Sequence, residues 1–131
     1  MSFVHELRVR YGECDPQGIV FNANYLLYFD VAFTEYWRAR VGTWQEMVDG
    51  GVDAVVAEAN VRFRAPARFD DVLALEVATE ELGSTSTTTR IDVRREDELL
   101  VEGRLRHVFV DTQTWGKTTM PAAIRAKLAA A

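Results

Sequence analysis

Asp15 stands between Cys14 and Pro16 in the run YGECDPQG, a few residues ahead of a long apolar stretch of helical length. Asp-Pro favours a turn, and Gly18 permits a backbone conformation that other residues resist. The plain reading of Asp15 is a turn former whose carboxylate bonds its own backbone. The chemical reading is a base or nucleophile aimed at a carbonyl carbon held near the helix start. Unpaired N–H groups there, with the positive end of the helix dipole, would stabilise a developing oxyanion. A carboxylate is a weak base at neutral pH, so partial desolvation by aromatic neighbours would assist it. Cys14 is a second nucleophile candidate but needs a base, and the chain has only His5 and His107. Both fall on inward strand faces, where a hydrogen-bonded core histidine is the simpler expectation. The sequence holds no spaced set of metal ligands and no glycine-rich phosphate loop with its lysine.

The elements that must position Asp15 follow from periodicity. Phe3, His5, Leu7 and Val9 alternate with Val4, Glu6, Arg8 and Arg10, which predicts a half-buried strand. From about Ala23 to Val41 the pattern is helical and unusually dry, with Asp30, Thr34 and Arg38 forming one narrow polar stripe. Such a helix, roughly 28 Å long, is expected to be buried on most sides. Asn22 or Asn24 is the expected cap, and Gly42 the expected stop. Thr43–Val48 adds a further helical turn or two before Gly50-Gly51. Four strand-like runs follow: Ala57–Ala65, Val72–Thr79, Ser84–Arg95 and Leu99–Val110, with turn spacings that predict antiparallel neighbours. Pro121 opens a short, Ala-rich helix that reads as peripheral. The order β-loop-α-β-β-β-β makes the chain α+β, one antiparallel five-stranded sheet around one helix.

At 131 residues the chain fits one domain, 1–131, without repeat or linker. Its net charge of −5 argues against a general nucleic-acid-binding role. The single cysteine excludes an intramolecular disulfide and suits a reducing compartment. No signal-like segment opens the chain, and the longest uncharged run, Pro16–Phe29, is too short to span a bilayer. A cytoplasmic protein without a membrane partner is expected.

The run YGECDPQGIVFNANYLLYFD resembles the active-site segment of the 4-hydroxybenzoyl-CoA thioesterase family, which has the hot-dog fold. Asp15, Gly18, Ile19, Val20, Phe21, Asn24 and Tyr25 fall on that family's pattern, as do Phe63–Pro66, Asp71–Leu73, His107–Asp111 and Pro121. The resemblance implies hydrolysis of an aromatic or short- to medium-chain acyl-CoA, with Asp15 as nucleophile or general base. It maps the backbone oxyanion donor onto Asn22, gives Gly18 the tight loop, and puts Phe21 and Tyr25 beside the substrate. Asp30 matches a position where some relatives place a carboxylate against a ring hydroxyl; a polar position beside Arg38 is the alternative. The chain departs from the pattern twice. Asn22 replaces the His or Tyr of many relatives, and Gly83-Ser84-Thr85 lacks the basic residue that can hold CoA phosphates. Arg62 and Arg64, or else Arg68, Arg90 or Lys117, would have to serve; a solvated strand face is the plain reading of each arginine. No cofactor is implied beyond the coenzyme A of the substrate. A homodimer at least, and by family a homotetramer, is expected, because a sheet wrapped on one helix leaves edges and apolar faces to cover. The rival readings are a hydratase or dehydratase, which wants a His paired with a carboxylate, and a non-catalytic or acyl-carrier-protein-directed binder.

Overall fold

Alternation along the last three strands builds the wall on which everything else rests. The computed structural model describes residues 3–131. Its elements are β1 (Phe3–Arg8), a 3₁₀ turn (Tyr11–Glu13), α1 (Asn24–Arg40), α2 (Trp44–Asp49), β2 (Val52–Phe63), β3 (Val72–Leu82), β4 (Ser86–Arg95), β5 (Glu98–Asp111) and α3 (Ala122–Ala130). The five strands form one antiparallel sheet in the order β1-β3-β4-β5-β2. Leu73, Leu75 and Val77 of β3, Thr87, Thr89, Ile91 and Val93 of β4, and Val101, Leu105 and Phe109 of β5 are all buried. The long helix lies against this face, the hot-dog arrangement that the resemblance implies.

The buried residues of α1 are Tyr25, Tyr28, Phe29, Ala32, Phe33, Tyr36 and Trp37. Steps of three and four keep them on one side of the helix. Gly103 marks the closest approach: a Cβ there would lie 2.5 Å from the Phe29 ring. One turn along, the Phe33 ring stacks on His107 with centroids 4.1 Å apart. The expected burial of α1 on most sides is not met within one chain. Leu26, Leu27 and Val31 are 47%, 50% and 38% exposed.

Three local expectations need correction. Neither Asn22 nor Asn24 caps α1; the residue at that position is Ala23, and the helix start receives no side-chain hydrogen bond. Asn24 instead donates its amide to the Glu13 carbonyl at 2.8 Å. The C-terminal helix is less peripheral than its composition suggests, because Ile124 and Leu128 are buried and Lys127 donates to the Val41 carbonyl at 2.8 Å. Finally, β2 starts earlier than its alternation shows, at Val52. A bulge between Val56 and Glu58 breaks its period, so the first half cannot be read by alternation.

Candidate active site

The segment from Cys14 to Val20 folds back on itself. Cys14 bridges Val20 and Ile19 bridges Arg68, both antiparallel. The Asp15 N–H donates to the Ile19 carbonyl at 2.9 Å, and the Gly18 N–H to the Asp15 carbonyl at 2.9 Å. Gly18 sits at φ +80°, in the left-handed region that disfavours side chains. Asp15 Oδ1 accepts the Gln17 N–H at 2.8 Å. The turn-former reading of Asp15 is met: one carboxylate oxygen holds the turn, while Oδ2 has no partner among the described residues.

Glu13 ties this loop to the helix, and sequence reasoning passed over it. Its carboxylate accepts the Arg10 N–H at 2.8 Å, the Arg10 guanidinium at 2.6 Å and the Tyr28 hydroxyl at 2.8 Å. Its carbonyl accepts the Phe21 N–H at 3.0 Å as well as the Asn24 amide. Burial disfavours the Glu13 charge, but the bonds from Arg10 and Tyr28 outweigh it and hold the carboxyl below its ordinary range. Burial, and then the neighbouring Glu13 charge, push the Tyr28 hydroxyl well up, so it stays a donor. The signals available were weak: Arg10 and Glu13 at capping spacing, and Asn24 and Tyr28 four apart on one helical face.

At the helix start, Asn24 donates to the Phe21 carbonyl at 2.9 Å and Tyr25 to that of Asn22 at 3.3 Å. The N–H groups of Asn22 and Ala23 have no protein acceptor among the described residues. A cavity of about 310 Å³ opens here, lined by Asp15, Gln17, Ile19, Asn22 and Tyr25 on one side and by Phe63, Arg64 and Pro66 on the other. Tyr25 meets Phe63 edge-on at 5.6 Å. Its oxygen accepts the Ala67 N–H at 3.4 Å, and burial raises its pKa.

Of the residues picked out in the sequence, Asp15, Asn22, Tyr25 and Arg64 meet at this cavity. Gly18 sits in the turn between the lining residues Gln17 and Ile19 and is not itself part of the lining. Phe21 is 49% exposed and outside the lining. Asp30 is exposed on α1, about 9 Å along the axis from Asn24. Arg64 pairs with Glu102 at 3.2 Å, whereas Arg62 is exposed beside it. Arg90 is engaged by Asp92 at 3.1 Å on the outer sheet face, and Lys117 bridges Val110 in the last loop. Neither histidine reaches the cavity. His107 is buried with Nδ1 unpartnered, contrary to the expected hydrogen bond, and burial depresses its pKa to about 4. Another hollow, about 250 Å³ at the far end of α1, has Glu46 and Lys127 among apolar walls, and Lys127 is already bonded to Val41.

Comparison with known proteins identifies the family. The model of the thioesterase superfamily matches residues 17–114. An acyl-CoA thioester hydrolase of Escherichia coli is 32% identical over 123 residues, covering 92% of this chain and 91% of that protein. The 4-hydroxybenzoyl-CoA thioesterase of a Pseudomonas species is 32% identical over 97 residues, covering 72% and 69%. Among solved structures, a hypothetical protein from Thermus thermophilus superposes with a TM-score of 0.90 at 31% identity, covering 97% of both chains. A 1,4-dihydroxy-2-naphthoyl-CoA thioesterase from Synechocystis shares the fold, with a TM-score of 0.89 at 17% identity over 98% of this chain and 96% of that one. The chain belongs to the thioesterase superfamily and is a thioester hydrolase.

Proposed function

We propose that this enzyme hydrolyses an aromatic or short- to medium-chain acyl-CoA to the free acid and coenzyme A. The observation that carries the proposal is the meeting of Asp15 with the unpartnered Asn22 N–H at one half-apolar cavity. A thioester carbonyl whose oxygen takes the Asn22 N–H is polarised toward attack at carbon. In the nucleophilic version Asp15 adds to that carbon, the C–S bond breaks, CoA leaves as thiolate, and water cleaves the resulting anhydride. In the general-base version Asp15 takes a proton from water, hydroxide adds, and the same C–S bond breaks. Water is the only co-reactant in both, so no cofactor is required beyond the coenzyme on the substrate. Phe63 and Tyr25 supply apolar wall for the acyl group, and Asp30 is the candidate partner for a ring hydroxyl presented from a second subunit. A hydratase would need a histidine and a carboxylate together, and His5 and His107 both lie away from Asp15.

Replacement of Asp15 by Asn should lower thiol release from benzoyl-CoA by at least about 10²-fold with an unchanged circular-dichroism spectrum. Undiminished turnover would reject the assignment. Saturable acyl-CoA binding without any thiol release by the unaltered protein would favour a non-catalytic binder. Benzoyl, hydroxybenzoyl, phenylacetyl and straight-chain esters assayed side by side would identify the acyl class.

The working unit in this proposal is a cytoplasmic homodimer or homotetramer. Two surfaces support it. Among the described residues strand β2 is hydrogen-bonded only to β5, with Val55, Val56 and Phe63 exposed along it, an edge that invites pairing. The Leu26, Leu27 and Val31 patch on α1 is a second apolar face. Sedimentation at micromolar concentration should show a dimer or larger, and a monomer there would contradict the proposal.

A further inference from the structure

Beside the cavity the chain presents two aromatic rings to water from a rigid base. Tyr11 and Phe69 are 80% and 54% exposed and meet edge to face at 5.7 Å. Phe69 occupies the second position of the turn Arg68–Asp71, closed by the Asp71 N–H on the Arg68 carbonyl at 3.1 Å. The turn is pinned from several sides. The Asp70 N–H reaches the Val9 carbonyl at 3.0 Å and the Val9 N–H the Asp71 carbonyl at 2.9 Å. Arg8 donates to the Asp70 carbonyl at 3.0 Å, and Arg95 holds the Asp71 carboxylate at 2.7 Å. Asp70 accepts φ +73° within it, a conformation unfavourable for a residue with a side chain. The turn holds the Phe69 ring out in solvent against the Tyr11 ring, where a planar ligand could stack.

Arg68 supplies charge at the same place. Its backbone N–H is taken by Asp71, while its exposed guanidinium has no hydrogen-bond or ion-pair partner among the described residues. Bridge partners share a face, so Arg68 rises on the side of Ile19, which lines the cavity. From Asp15 across Ile19 to Arg68 is two strand spacings, about 10 Å. A pantetheine arm has the backbone of about four residues and extends to roughly 14 Å. A thioester held at Asp15 could therefore reach Arg68 and Phe69 with its phosphates and base.

We propose that the Tyr11–Phe69 pair and Arg68 hold the nucleotide end of the thioester's carrier, the adenine stacked on the aromatic rings and a phosphate on the guanidinium. This rests on the acyl-CoA reading above and deepens it: the site selects a nucleotide-bearing carrier over a carrier protein, which offers no adenine. It also replaces the missing basic residue of the Gly83-Ser84-Thr85 turn with one from the β2–β3 connection.

The test uses adenosine 3′,5′-bisphosphate as a direct calorimetric probe, together with benzoyl-CoA and benzoyl-pantetheine as substrates. The probe should bind the unaltered protein and D15N alike, and about tenfold more weakly after Phe69→Ala or Arg68→Ala, as expected for one stacked base or one phosphate contact. The same variants should lower kcat/KM for benzoyl-CoA about tenfold and leave that for benzoyl-pantetheine unchanged. No binding of the probe to the unaltered protein, or equal binding by the variants, overturns the proposal. A change in sedimentation of unliganded F69A would also overturn it, by showing that a second copy covers the rings. Probe binding without turnover of either ester would instead sink the thioesterase reading and leave the nucleotide site standing.

Discussion

Lowering the pH from 7 to 5 should loosen this fold through a single buried imidazole. His107 stacks on Phe33 at 4.1 Å, and burial lowers its pKa from 6.5 to about 4. The unfolded chain therefore binds a proton that the native chain refuses. Stability is fully present above the unfolded value, is lost as pH falls through 6.5, and stops falling below about 4. Between pH 7 and 5 the difference integrates to about 1.8 kcal/mol. For 131 residues an unfolding entropy near 0.28 kcal/mol/K converts this to a fall in Tm of about 6 °C. Glu13, Asp71 and Asp111, whose carboxyls are all held low, lose their contributions mainly below pH 5, outside this window. Calorimetric scans at fixed protein concentration, compared with His107→Leu, isolate the effect. The variant forfeits a ring contact worth about 1 kcal/mol but also removes an unpartnered buried nitrogen costing about 1–3 kcal/mol. It should match or exceed the unaltered protein at pH 7 and lose almost none of its Tm by pH 5. Equal losses in both proteins would show that His107 is not the group responsible.

Tyr28→Phe removes the hydroxyl bond to the Glu13 carboxylate at 2.8 Å, which should cost about 1.5–3 kcal/mol in a urea titration and lower kcat several-fold as the Asp15 loop loosens. A stability loss with kcat intact would mean that Glu13 braces the fold without positioning Asp15. Gly103→Ala drives a methyl to 2.5 Å from the Phe29 ring and should destabilise by about 1–3 kcal/mol. Adding Phe29→Leu should recover part of that, and a double variant no better than the sum of the singles would refute the steric account.

Much of the fold could be read in the sequence because its signals are local. From Val101 to Phe109 every second residue (Val101, Gly103, Leu105, His107 and Phe109) is buried, and four of the five are apolar or small. The first strand and the fourth also show alternation, β3 an apolar run, and α1 a polar stripe at steps of four. The pattern failed where a residue's surroundings came from elsewhere. The bulge at Val56–Glu58 shifts the register of β2 against β5, a property of the pair and not of either strand. Asn24, a plausible cap by type, turns instead to a carbonyl eleven residues away.

The site divides in the same way. Asp15, Gly18 and Asn22 lie within eight residues of one another, so their spacing carries the motif. The opposite wall of the cavity, Phe63 to Pro66, arrives by tertiary folding, and no local spacing brings it to Asn22. Glu13 escaped notice because its value lies in convergence: Arg10, Tyr28, Phe21 and Asn24 all donate to it, and only their meeting turns an ordinary loop glutamate into the bolt between loop and helix. The exposed side of α1 shows the converse. Periodicity reports that Leu26, Leu27 and Val31 prefer burial but cannot name the covering surface. In the proposed homodimer a second copy would cover this patch, which lies on the first turns of the helix beside the Asn22 amide. On that proposal catalysis and assembly are joined: a second copy over that end of α1 would also remove water from around the reacting carbonyl, and so strengthen the amide interaction on which the proposed attack by Asp15 depends.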